Sequence, residues 1–501
     1  MKTQILLVIL AIAVLFSCSK KPQDIEQVVL AKIGDRTITL DEFIKRSEYT
    51  IRPAYAKGNH YIHKKIILNS LIAEKLFAFE AGKNNAMTNN PQFQNYIQGR
   101  KEQAMRKWLF RNEGTEKVQL KDEELEKEFF LSGREYSVAY FTVPTQEMAD
   151  SVHFLLNQPN ISFENVFKKI GGEGELPTHT VAWQREGNDA VIEALYTDSL
   201  KVGQVIGPIR AQNNVYTSIK ILGWTESVLI TDEQIRLRLR DVRERLSRSR
   251  AKQIYTDFIL DVMRGKTVRF NQDTFFKVVE MVQPFYIVSQ EEKQQMFNEK
   301  FWQEEQPNVN YSDMESDFES IKDLPLLTID GQTWTVTDLR NELSRHPLVF
   351  RSRNVNNSNF PEQFKLAVVD LIRDKYLTEE AYKRGYDEIN VIEQYTNMWQ
   401  DQALALFHQQ DYLRSQNCPY NFNKDYMKII DQYLNSYVDS LQTKYSDQIG
   451  IDVDIFERVE LTRIDMFVME NGVPYPIAVP GFPVVTTDNR LDYGSKLDEK
   501  Q

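Results

Sequence analysis

The sequence predicts an α+β protein: mostly helical modules, present twice, with a smaller β-α-α-β-α-β-β domain inserted in the first. Three observations lead there. Long stretches carry apolar residues at helical spacing. A strand-turn-strand-helix pattern occurs near residue 31 and again near residue 327. Residues 136–225 alternate short β-rich runs with short helical ones. A chain of 501 residues is also too long for one core, so several domains are expected.

The first eighteen residues stand apart. Met1-Lys2 gives a short positive start, and Ile5 to Phe16 is nearly all apolar. That run suits a signal h-region and is too short to span a bilayer as a helix. It ends in Leu15-Phe16-Ser17-Cys18. A small residue before a cysteine at the end of such a run resembles the bacterial lipoprotein box, although Phe16 is bulkier than that pattern usually has. The resemblance implies that Cys18 becomes the lipid-carrying first residue of the mature chain; an ordinary cleaved signal and an uncleaved anchor are the alternatives. The other cysteine is Cys418. With Cys18 acylated no internal disulfide is possible, and no zinc cluster can be built from cysteine.

The modules follow. Ala31 to Leu40 reads as strand, Gly-Asp turn and strand, and Thr39-x-x-Glu42 is a capping box opening a helix. Leu327 to Val336 repeats the pattern, with Thr335-x-x-Asp338 in place of the box. Residues 71–83 (LIAEKLFAFEAGK) and 371–383 (LIRDKYLTEEAYK) are identical at six of thirteen positions. Farther on, Gln103-Ala104-Met105 matches Gln402-Ala403-Leu404. Three matches in the same order indicate a duplicated module. The helices around 64–86 and 92–113 have wide apolar faces and are expected to pack on each other and on something distant. Asn89-Asn90-Pro91 turns the chain into the second of them.

A long helix begins after residue 228. Thr231-x-x-Gln234 caps it, and Ile235, Leu239, Val242 and Leu246 start an apolar stripe that runs to Gly265. At about 1.5 Å per residue it is on the order of 50 Å long. It is expected to return to the N-terminal helices, and Lys266 to Phe270 to act as a closing strand. Its other face is basic, from Arg236 to Lys252. Acidic neighbours explain such a face; an anionic lipid surface or an acidic partner is the sharper reading. A second helix and strand, Tyr433–Lys444 and Ile449–Val453, close the second module.

The insert reads as strand 136–143, helices 147–157 and 162–170, strand 178–184, helix 190–196, and a hairpin 205–212 with 215–224. This order resembles the parvulin-type peptidyl-prolyl isomerase domain. Leu200-Lys-Val-Gly-Gln-Val-Ile-Gly-Pro208 is similar to that family's L-K-x-G-x-V-S-G-P stretch. Tyr216-Thr-Ser-Ile-Lys220 sits where the family has Y-H-I-I-K, and Val181-Ala-Trp183 where it has L-G-W. The resemblance implies a shallow cleft holding two histidines. Here the first of those strands is Tyr136-Ser137-Val138-Ala139-Tyr140, without histidine, and Thr217 stands in the second place. Neither position titrates near neutrality. His153 and His179 are not expected to replace the pair. What remains is a degenerate cleft of Val138, Trp183, Ile192, Tyr196, Tyr216 and Thr217. Isomerisation needs a pocket favouring a twisted prolyl amide against a barrier of about 18–20 kcal/mol. Shape alone is expected to give weak activity or none.

With its two helical modules and its lipoprotein-like start, the chain resembles the SurA/PpiD/PrsA class of periplasmic folding factors. The division this implies is a signal peptide over 1–18, a SurA-like helical module over 28–130, and the parvulin-like insert over 131–228. Then come the long helix and closing strand over 229–285, packing on the first module, and a helical bridge over 286–324. A second module without insert spans 325–465, and a proline-rich tail 466–501. The expected function is a lipid-anchored envelope chaperone for unfolded or exported polypeptide clients, including outer-membrane proteins. An active isomerase and a structural subunit of envelope assembly or secretion machinery are the alternatives. The expected site is the periplasm, on a membrane reached through the Cys18 anchor. Ser19 lacks the acidic inner-membrane retention signal, which favours the outer membrane. The net charge of −11 argues against a nucleic-acid partner. No cofactor or metal is expected: His60-x-x-His63 lacks a third ligand at usable spacing, and no phosphate-cradling glycine motif is present.

Overall fold

Short hairpins capped into helices recur in the computed structural model, which describes residues 26–58, 60–197, 200–211, 215–227, 231–287, 318–352, 354–462 and 464–492. The expected signal segment with Cys18, and most of the expected 286–324 bridge, lie outside these residues. The architecture mixes helices with small antiparallel sheets.

The chain opens with β1 (Val29–Ile33), β2 (Arg36–Thr39) and α1 (Leu40–Glu48). Thr39 is the cap, its hydroxyl accepting from the Glu42 N–H at 3.1 Å. Then come α2 (Tyr61–Ala81), α3 (Pro91–Glu113) and α4 (Asp122–Leu131). The insert follows as β3 (Arg134–Val143), α5 (Gln146–Leu156), α6 (Phe163–Lys169), β4 (Thr178–Ala182), α7 (Asp189–Leu195), β5 (Val205–Arg210) and β6 (Tyr216–Glu226). The long helix α8 is Asp232–Val262, followed by β7 (Val268–Phe270) and α9 (Gln272–Tyr286). The second hairpin is β8 (Pro325–Ile329) and β9 (Gln332–Thr335), leading into α10 (Val336–Leu343). The chain continues with α11 (Phe360–Lys383), α12 (Asn390–Ser415), α13 (Phe422–Ile429), α14 (Asn435–Lys444), β10 (Ile449–Ile451) and α15 (Val453–Arg458).

Two compact units result. One comprises the chain up to Leu109, Val262–Arg351 and Val355 onward. In it the two halves exchange strands. β1 pairs with β2 and with β10, Ala31 opposite Ile451; β8 pairs with β9 and with β7, Phe270 opposite Leu327. Each hairpin is thus completed by the strand that ends the other half. This corrects the expectation that the strand after the long helix closes the first module. The cores follow the pairing. Leu30, Phe43, Leu71 and Phe77 pack with Ile430, Leu434, Val438 and Phe456, whereas Leu327, Leu339, Phe360 and Phe364 pack with Phe275, Val278 and Val279. α2 is buried almost all round because α12 lies along it. α3 rests on second-half groups instead: Gln103 exchanges two bonds with the Tyr475 backbone, and Arg100 lies 3.4 Å from the Trp399 ring centre. Residues 464–492 form no helix or strand, yet Phe482 and Val485 sit in the first core.

The second unit, Phe110–Asp261 with a short piece around Ser352, is built on a four-stranded antiparallel sheet ordered β4-β3-β6-β5. Side chains of β3 alternate between the two faces of the sheet, so the strand feeds two cores. Phe141 and Val143 pack under α5 and α6, while Tyr136 and Val138 pack toward α7 and α8. Gly207 has φ +99°, and a Cβ there would meet the Thr217 carbonyl oxygen at 2.6 Å. The glycine therefore lets β5 close on β6.

The long helix meets its expectation only in part: Tyr255 packs edge-on to Phe110 of α3 at 5.1 Å, but the rest of its stripe goes elsewhere. Up to Asp261 it belongs to the insert's unit, and Val242 and Leu246 enter the insert's core. Tyr136 of β3, Trp183 just after β4 and Leu195 of α7 form an apolar layer, and that layer captures the stripe. Ile235, at the stripe's start, stays exposed.

Candidate functional site

The residues expected to line a cleft come together, but as a core. Val138, Trp183, Ile192 and Tyr196 are each at most 3% exposed and share one apolar cluster with Val242 of α8. Tyr196 packs edge-on to Trp183 at 5.0 Å and to Tyr136 at 5.2 Å. Its hydroxyl donates to the Arg134 carbonyl at 2.9 Å, and burial pushes its pKa up. Arg245 of α8 closes the layer: its guanidinium lies 5.1 Å from the Trp183 ring centre and donates to the Glu186 carbonyl at 3.1 Å. Basic residues on α8 meet acids of the insert and of α4, through Arg250–Glu124 at 3.2 Å and Lys252–Asp189 at 3.1 Å. So acidic neighbours account for part of the basic face. Thr217 is buried in β6, and Tyr216 lies apart from the Trp183 cluster, against α5, donating to Gln146 Oε1 at 2.6 Å. His153 contacts Asn157 on an exposed face of α5, and His179 sits edge-on to Tyr140 on β4.

The other unit carries a buried ionic cluster in each half. In the first half Arg46 forks onto Glu74 with bonds of 2.9 and 2.8 Å and donates to the Gly481 carbonyl at 2.7 Å. Lys75 lies between Glu42 at 3.0 Å and Asp401 at 3.1 Å, and Arg36 reaches Asp401 at 2.9 Å. Burial disfavours the Lys75 charge, but Glu42 and Asp401 outweigh it and raise its pKa. Nothing here is open: the side chains of Arg46 and Glu74 are 0% and 1% exposed.

The second half holds the counterpart. Asp374 and Lys375 repeat Glu74 and Lys75, and Lys375 pairs with Glu342 at 2.6 Å. Asp374 meets His346 Nε2 at 3.0 Å, Arg373 at 2.7 Å and Arg106 at 3.7 Å. Burial pushes the Asp374 carboxyl up, but the His346 hydrogen bond and the Arg106 and Arg373 charges win and hold it at about 2. Beside it opens a cavity of about 130 Å³, lined chiefly by Glu102, Arg106, Glu342, Arg345, His346 and Tyr382. The lining is mixed: charged groups of both signs stand beside Leu371 and the Tyr382 ring. The sequence reading missed it. Its signal lay in the repeat itself: the arginine at Arg46 is a glutamate at Glu342, equally far from its cap threonine, and Ala405 answers to Arg106.

Among the described residues no group of three or more His, Cys, Asp or Glu is placed to hold a metal, and no helix is long and apolar enough to cross a membrane. No family model matches the sequence, and no curated protein is significantly similar to it. Among solved structures, the foldase protein PrsA from Streptococcus pneumoniae is similar at 15% identity. That match covers 44% of this chain and 88% of that one, with a TM-score of 0.19, at which it defines no common fold.

Proposed function

We propose that this chain is a non-catalytic folding factor of the cell envelope, held to a membrane by lipid on Cys18, that binds unfolded or exported polypeptides. The single observation that carries the non-catalytic part is the packing of α8 onto the insert. The sheet face on which a prolyl pocket would open is filled by Val242 and lidded by Arg245. A proline ring has no way onto Trp183 or Tyr196 without displacing that helix. The parvulin-like motifs in the sequence and the β-α-α-β-α-β-β order of the insert support descent from an isomerase whose sheet now braces a helix. Binding falls to the outer surface, where Phe130 and Phe154 are 69% and 67% exposed.

The test is a pair of assays on the full chain. Suppression of aggregation of a reduced, unfolded protein is expected, with no acceleration of prolyl isomerisation in a model peptide. Isomerase turnover well above background overturns the non-catalytic part; failure to delay aggregation overturns the folding-factor part. One observation favours a second reading, a structural subunit with a fixed partner: the cavity described above gathers charged side chains of both signs, Glu102, Glu342, Arg106 and Arg345 among them, which suit one complementary partner. Mild-detergent co-purification separates the two, since one stoichiometric partner indicates a subunit and a heterogeneous set a folding factor.

A further inference from the structure

We infer that the outer edge of β4 is a docking site for an extended segment of polypeptide, added to the sheet as a fifth strand; this rests on the folding-factor reading. The β4-β3-β6-β5 sheet has two edges. The β5 edge is guarded. Pro208 offers no N–H there, and the register breaks between Ile206 and Ile209. The β4 edge has no such device. It is the regular run Thr-His-Thr-Val-Ala without charge, and Thr178, His179 and Thr180 are exposed.

The register decides which groups are free. Tyr140 donates to the Pro177 carbonyl at 2.9 Å, so residues 177, 179 and 181 turn their backbone toward β3. Thr178 and Thr180 therefore turn theirs outward, and neither has another backbone partner among the described residues. Pro177 faces inward, so its missing N–H does not blunt this edge. Two N–H and two C=O groups thus stand in line, at the spacing of about 6.8 Å that an extended backbone matches. Another extended chain satisfies all four in one register, as in strand addition. A second copy of this protein is the poorer occupant. Three exposed residues against three bury far less than the roughly 1,000 Å² a stable dimer needs.

The experiment uses the full chain and reduced, carboxymethylated α-lactalbumin as a permanently unfolded probe, with binding read by fluorescence anisotropy. Thr180→Pro removes one outward N–H at an edge position that tolerates proline, and Thr180→Ala keeps it. Thr180→Pro is expected to bind about tenfold more weakly, and Thr180→Ala like wild type. Equal binding by both variants overturns the inference. A photoreactive side chain at residue 178, which leaves the backbone intact, covers the case in which Thr180→Pro does not fold. Cross-links to the probe from 178, exceeding those from exposed Ser151, support the site. Equal yields from the two positions, or links from 178 into a second copy, overturn it. A wild-type chain that binds no unfolded probe sinks the folding-factor reading and this site with it, whereas wild-type binding that Thr180→Pro leaves unchanged sinks the site alone.

Discussion

The two ionic clusters use related residues to opposite ends. In the first half the arginine comes from the module's own α1, as Arg46, and the site is sealed by the Gly481 carbonyl. In the second half α3 supplies Arg106 beside the local Arg373, α10 supplies Glu342, the turn after it supplies His346, and a cavity remains. The opposing helices differ in the same sense. Counting back from the matched Gln103 and Gln402, Gly99 of α3 answers to Met398 of α12. Met398 keeps its side chain in an apolar cluster with Trp399 and Val479. At Gly99 a Cβ would fall 2.0 Å from the Arg345 carbonyl oxygen and 2.4 Å from the Tyr475 hydroxyl. A duplicated scaffold can therefore hold one charged centre dry and leave the other wet, by moving a guanidinium from one side of the seam to the other.

The largest break in this comparison is Glu74→Ala. It strands the Arg46 guanidinium where no water reaches, and a buried charge left alone costs about 3–5 kcal/mol. The urea midpoint, followed by far-ultraviolet circular dichroism, is expected to fall accordingly. Arg46→Met with Glu74→Leu removes both charges and is expected to recover most of the loss. Next comes Gly99→Ala. The methyl group forces α3 off the Arg345 and Tyr475 backbone and ring, at about 1–3 kcal/mol by the same measurement.

Asp374 sharpens the contrast through pH. Its folded pKa of about 2 lies below the unfolded value of about 3.9. A carboxylate with a depressed pKa stabilises the fold above its unfolded value, and that contribution is lost as pH falls toward the folded one. The contribution is on the order of 2 kcal/mol and disappears between about pH 4 and pH 2. Asp374→Asn is expected to lose it at neutral pH and to flatten the stability profile across that window; a profile identical to wild type's would falsify the assignment.

The sequence made the local features legible. Thr39 and Thr335 cap helices as read, although the box closes at Thr335 while Glu42 turns to Lys75, and the order of the insert's elements is the order observed. Both depend on spacing within a few residues. The strand exchange was not legible, because Val268-Arg-Phe270 and Ile449-Gly-Ile451 are equally short alternating runs that fit either hairpin. Nor was the fate of Val138, Trp183, Ile192 and Tyr196. An apolar group on a sheet lines a cleft or fills a core depending on what covers it, and here the cover is Val242, on a helix that looked committed elsewhere.

The smallest expected effect belongs to Arg345→Ala. Arg345 sits at the mouth of the wet cluster, 38% exposed, at 4.0 Å from Glu102 and 3.8 Å from Glu342. Both carboxylates keep other partners: Glu102 accepts from Gln98 at 3.1 Å, and Glu342 holds Lys375. Water screens what remains, so the loss is expected to stay below about 1 kcal/mol and to shrink further in added salt. Arg46, the arginine of the dry cluster, has no exposure, and beyond Glu74 its hydrogen bond goes to the uncharged Gly481 carbonyl. A loss at Arg345 matching that of Glu74→Ala would mean that the cavity is as dry as its twin, and the distinction between the halves would fall.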